Sequence, residues 1–149
     1  MKLSRRALYI LSACLALLVS CKPQGIETNG PLLLGSFYAI VDNSYFEGMD
    51  NSGTLTDTSL SISGRKQENG AGSGTIQFSI PKLNGARTYE IDIDASASYT
   101  HDDTTFYARS GKIVVTSASP GSVVGTFTFK AEKDGLIRNI SAGRFEMHK

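Results

Sequence analysis

The sequence has no tryptophan and only two cysteines, Cys14 and Cys21, both within its first 21 residues. Nothing further along can form a disulfide or a thiolate zinc site, so a domain there must hold together by its core. Histidine is nearly as scarce, with only His101 and His148. Neither lies near a Gly-x-Ser-x-Gly motif, and a nucleophile without a base beside it is unactivated. Two scattered histidines also make a poor zinc ligand set. The chain therefore reads as non-enzymatic, with no cofactor. No basic cluster follows Arg6, which argues against nucleic acid as a partner. No window carries an apolar i, i+3, i+4, i+7 stripe, so no long helix is expected.

Long apolar runs are missing too, apart from Ala7 to Val19, and that one falls short of the roughly 20 residues of a membrane span. Lys2, Arg5 and Arg6 precede it and the small Ser20 follows it, the layout of an export signal over residues 1–20. Leu18-Val19-Ser20-Cys21 resembles the lipobox of bacterial lipoproteins. The resemblance implies cleavage before Cys21, a diacylglycerol thioether on its sulfur and usually an acylated amine, such as a palmitoyl amide. Leu11-Ser12-Ala13-Cys14 is a weaker rival, with too little apolar chain before it. Two or three acyl chains anchor stably where one does not. The expected address is the cell envelope, with the membrane as partner through the anchor. Lys22, where an aspartate would signal inner-membrane retention, favours the outer membrane. Loss of Lys2, Arg5 and Arg6 leaves 12 basic against 14 acidic residues, a net charge of −2.

Residues 22–31 are Pro-, Gly- and polar-rich and read as a tether, placing a single domain at residues 32–149. From Leu32 the apolar pattern has period two, which marks half-buried strands. Phe37-Ala39-Val41, Leu60-Ile62, Ile76-Phe78-Ile80, a long run from Tyr89 through Ile93 to Tyr99, Phe106-Ala108, Ile113-Val115 and Val123 to Ala131 each keep one parity. Residues 42–57 read as a loop, and Asn84-Gly85, Ser110-Gly111, Pro120-Gly121 and Asp134-Gly135 as turns, the first and last as hairpin signals. In the last strand the parity of Leu136 and Ile140 differs from that of Phe145 and Met147. This predicts a β-bulge near Gly143. The expected fold is all-β, an antiparallel sandwich or barrel of about eight strands.

The C-terminal half adds a resemblance. The runs Gly111-Lys-Ile-Val-Val-Thr116, Val124-Gly125-Thr126-Phe127-Thr128-Phe129-Lys130-Ala131 and Ile140-Ser-Ala-Gly143-Arg-Phe145 resemble a family of small Bacteroides-type lipoproteins classed as a domain of unknown function. The opening Phe37-Tyr-Ala39 fits as well. These motifs are structural, so the resemblance implies fold and address and carries over no catalytic residue.

Possible binding groups are few. Tyr45, Phe46 and Tyr107 are the best candidates for an exposed aromatic patch, with the alternative that they cover an open end of the core. Glu90, Asp92 and Asp94 would share one face of the long strand and, with Asp102 and Asp103, offer oxygen ligands to calcium. The plainer reading is a solvated acidic face. The Gly70–Gly74 run lacks the Lys-Ser/Thr and helix of a phosphate loop and reads as a flexible hairpin. The leading expectation is a non-catalytic binding or scaffolding domain for a protein, a glycan or a small apolar ligand. The alternatives are a hydrolase using carboxylates such as Asp102 or Asp103, and a loop-based inhibitor of a hydrolase.

Overall fold

The hairpins come first, because turn residues fix which strands meet. A computed structural model describes residues 33–67 and 73–148. The export signal, Cys21, the tether and most of the Gly70–Gly74 run lie outside these residues. Asp42-Asn43 (φ 46° and 70°) and Asp134-Gly135 (φ 51° and 79°) each place two left-handed residues between antiparallel strands. This two-residue geometry matches the natural twist of a hairpin. Asp102 (φ 50°) and Gly121 (φ 99°) turn the chain in two further hairpins.

Ten strands result: β1 Leu33–Val41, β2 Ser44–Glu47, β3 Asp50–Leu55, β4 Leu60–Gln67, β5 Ser73–Ile80, β6 Thr88–Glu90, β7 Ser96–His101, β8 Thr104–Ser119, β9 Ser122–Lys133 and β10 Leu136–His148. They form one antiparallel sheet ordered β2-β1-β10-β9-β8-β7-β5-β4-β3, with β6 attached to β8. The sheet curls into a half-barrel whose edge strands, β2 and β3, are neighbours in sequence. The Gly48–Met49 link draws the edges together, as Gly48 N donates to Phe37 O and Met49 N to Arg65 O, both at 2.9 Å.

Alternate side chains point inward and fill the interior. Phe37, Phe127, Phe78 and Phe145 are all buried, with successive ring centroids 5.1–5.3 Å apart. Burying each such ring contributes on the order of 2–3 kcal/mol. Space around them is tight: a Cβ on Gly64 would overlap the Phe37 ring, and one on Gly143 the Phe127 ring.

The expected all-β antiparallel fold is observed, and the single curled sheet is the barrel-like alternative. Several details differ from expectation. The predicted loop at 42–57 contains β2 and β3. Each buries one large apolar side chain, Phe46 and Leu55, too few to show a period of two. The predicted strand from Tyr89 to Tyr99 is broken: Asp94 N and Ala95 N both donate to Glu90 O, Asp92 takes φ 72°, and Ile93 is 83% exposed. Conversely, Ser110-Gly111 is a bulge inside β8, with a register shift between Ala108 and Ser110 and Gly111 at φ 141°. The bulge changes parity between Phe106-Ala108 and Ile113-Val115, the pattern that also marks a turn. Gly85 turns the chain at φ 67°, but no hairpin forms there, because β5 pairs with β7 and β6 with β8. The bulge at Gly143 is present as a register shift between Ile140 and Gly143, although Leu136 is exposed and the inward set begins at Ile140.

The half-barrel has two unlike ends. Hairpins 42–43, 102–103 and 134–135 cluster at one. Leu33, the 120–121 hairpin and the 56–59 turn lie at the other.

Candidate functional site

The hairpin end opens into a recess of about 220 Å³. Its floor is aromatic. Phe46, on β2, is 3% exposed and meets Phe37 edge-on at 6.3 Å. Tyr99, on β7, is buried and stacks between His101 (6.2 Å) and Phe106 (6.3 Å).

One wall is ionic. The Asp42 carboxylate accepts from Arg138 Nη1 at 2.9 Å and from the Asn139 backbone N–H at 2.9 Å. Burial pushes the Asp42 carboxyl up, but the Asn139 N–H and the Arg138 guanidinium outweigh it and hold the pKa below the ordinary value. Arg138 also lies 5.2 Å over the Phe106 ring, so it is held on two sides. Across the seam between the sheet edges, Lys66 Nζ donates to Tyr45 O at 2.8 Å and ties β4 to β2.

The structure separates the three aromatic residues singled out from sequence. Tyr45 stands on the rim of the recess, 58% exposed. Phe46 presents no open ring; it closes that end of the core, the alternative reading of its loop. Tyr107 is 62% exposed but lies on the outer wall, beside a separate groove of about 240 Å³ lined by Gln77, Ser79, Ser96 and Ser98. Asp42, Tyr99, His101 and Arg138 went unnoticed in the sequence as recess groups. Asp42 and Arg138 are 96 residues apart, and only the pairing of β1 with β10 brings them together.

The acidic set does not assemble as expected. With the strand broken at Asp92, Glu90, Asp92 and Asp94 share no strand face. Asp94 instead accepts from Glu90 N at 3.4 Å and pairs with Arg87 at 3.5 Å. Asp102 accepts from Ser73 N at 3.2 Å. No group of three or more metal-ligating residues occurs among the described residues. Asp102 and Asp103 are consecutive residues of one hairpin, so they do not oppose each other across a cleft.

One other constellation has catalytic residue types. Ser122 Oγ is 3.3 Å from His148 Nδ1, and His148 Nε2 is 2.7 Å from Glu146 Oε1. Alternation along β9 turns Val123 inward and Ser122 outward, onto the convex wall. Ser122 lines neither the recess nor the Tyr107 groove, and the trio reads as a cross-strand polar chain on the outer face.

No curated protein and no solved structure matches the chain. A family described as a domain of unknown function, DUF6252, matches residues 35–147, from early in β1 to nearly the end of β10. The match spans nearly all of the curled sheet and its recess, and the chain belongs to that family.

Proposed function

We propose that the protein is a non-catalytic binding domain, anchored in the bacterial cell envelope through lipid on Cys21, that presents its hairpin-end recess to a glycan. The observation that carries this reading is the position of the recess. It opens at the end of the half-barrel opposite Leu33, where the chain arrives from Cys21. Eleven residues separate Cys21 from Leu33. At full extension they reach at most about 40 Å. A domain on such a tether turns its Leu33 end to the membrane and its recess outward.

The lining suits a small polar ring. The exposed face of Tyr45 offers a stacking surface, and His101, Arg138 and Asp42 surround the aromatic floor with hydrogen-bonding groups. Ligand sites of this kind combine apolar surface with a few placed polar groups. The outer-membrane address rests on Lys22 after the lipidated cysteine.

A saccharide panel titrated into the full chain in a nonionic detergent tests the recess, with chemical shifts of residues 42–46, 99–101 and 138 as the readout. The expected result is a ligand that moves those signals and binds Tyr45→Ala at least about tenfold more weakly. A panel with no binder, or one whose binding is indifferent to Tyr45→Ala, contradicts the reading.

A further inference from the structure

The outer wall of the sheet carries a second hollow, remote from the recess floor. It lies where β10 bulges, with the register against β9 slipping between Ile140 and Gly143 and Ala142 held at φ 48°. Bulges re-aim side chains and interrupt a smooth sheet surface. Gly143 itself faces inward, against the Phe127 ring, so the outer surface here is shaped by the bulge and its exposed neighbours Ala142 and Arg144. The hollow has a volume of about 350 Å³, and Tyr38, Lys112, Thr126, Thr128 and Arg144 contribute to its lining.

Strand register places these residues on one face. Tyr38 opposes Arg144, Arg144 opposes Thr126, and Lys112 opposes Thr128. Lys112 and Arg144 thus flank β9 from either side, two residues out of step, with their Cα atoms roughly 12 Å apart. Both are exposed, and neither has an ion-pair or hydrogen-bond partner among the described residues. Glu90 stands directly opposite Lys112 on β6, Glu47 opposite Tyr38 on β2, and Glu146 two residues along β10 from Arg144, where it pairs with His148; none forms an ion pair with Lys112 or Arg144 among the described residues. The hollow itself holds two uncommitted cations, two threonine hydroxyls and a half-buried tyrosine ring. In the recess, by contrast, Arg138 is already neutralised by Asp42.

We propose that this hollow binds an acidic saccharide, a pyranose bearing a carboxylate. The sugar ring lies against Tyr38, and the carboxylate takes the Arg144 guanidinium fork with Lys112 as the second cation. A planar guanidinium matches a carboxylate with two parallel hydrogen bonds, and these charge-assisted bonds are the strong ones.

Calorimetric titration of the full chain in a nonionic detergent tests this, using oligogalacturonate, its neutral galactose counterpart and inorganic sulfate. Oligogalacturonate is expected to bind, with the neutral oligomer at least about tenfold weaker. Lys112→Gln and Arg144→Gln, both surface changes, should each weaken binding about tenfold. Tyr38→Leu should weaken it severalfold, and the chemical shifts of the recess residues Tyr99 and His101 should not move on binding, which distinguishes this hollow from the end recess. The proposal is overturned if oligogalacturonate does not bind, if the neutral oligomer binds equally well, or if the two charge variants bind as wild type does. Sulfate binding of equal strength, insensitive to Tyr38→Leu, would also overturn it by revealing a simple anion site.

Discussion

Neighbouring residues in this chain have opposite fates, and pleating decides which. Tyr45 and Phe46 look alike in sequence, yet one sits on the recess rim and the other in the core, because successive side chains on a strand point to opposite faces. The aromatic signal was legible; its parity was not, since β2 offers a single inward residue to set it. Asp42 is a second example. It stands in a stretch that reads only as a turn, and its Arg138 and Asn139 partners lie on the last strand. Its lowered pKa gives a signed expectation. A carboxyl whose folded pKa is depressed adds stability above the unfolded value, near 3.8 here, and loses it as pH falls through the folded value. Asp42→Asn should therefore melt below wild type at pH 7, by about 1 kcal/mol given the partial exposure of the pair. Thermal unfolding followed from pH 7 to pH 3 should show the two proteins converging below the ordinary carboxylate range.

Among the elements, the long central strands were legible where alternation ran unbroken. β9 is the clearest, with Val123, Phe127, Phe129 and Ala131 all inward. Sequence misleads where a local backbone event mimics another. Ser110-Gly111 carries turn residues but forms a bulge, because β9 pairs with β8 on both sides of it, from Tyr107 to Ser119, and holds it as one strand. Asp92-Ile93-Asp94 keeps the period of a strand but forms a turn, because both flanking segments pair with β8, Glu90 opposite Lys112 and Ser98 opposite Tyr107, and the seven residues between Glu90 and Ser98 face only four on β8. Ile93 tests this break. At 83% exposure, Ile93→Lys should change stability by no more than about 0.5 kcal/mol in a denaturant melt. A loss of about 2 kcal/mol or more would mean that Ile93 is buried in a continuous strand.

At the scale of the whole molecule, curling a single sheet places its hairpins at one end and the arriving chain at the other. That polarity was not legible in the sequence. It depends on strand order, and the order departs from sequence where β10 inserts between β1 and β9. The fold class and the family resemblance could be read from period-two patterning and the C-terminal strand motifs. The recess could not, because its ionic wall joins chain positions that no local pattern connects. The proposed anchor and the observed polarity together make a claim about orientation: the Leu33 end faces the lipid and the recess faces away. The most direct test is fluorescence quenching by a headgroup-attached quencher in vesicles carrying the lipidated chain, with a fluorophore at either Tyr45→Cys or Ser119→Cys. Strong quenching at position 119, weak quenching at position 45 and loss of vesicle attachment in Cys21→Ser are expected. Equal or reversed quenching, or attachment that survives Cys21→Ser, would contradict the proposed anchor and orientation.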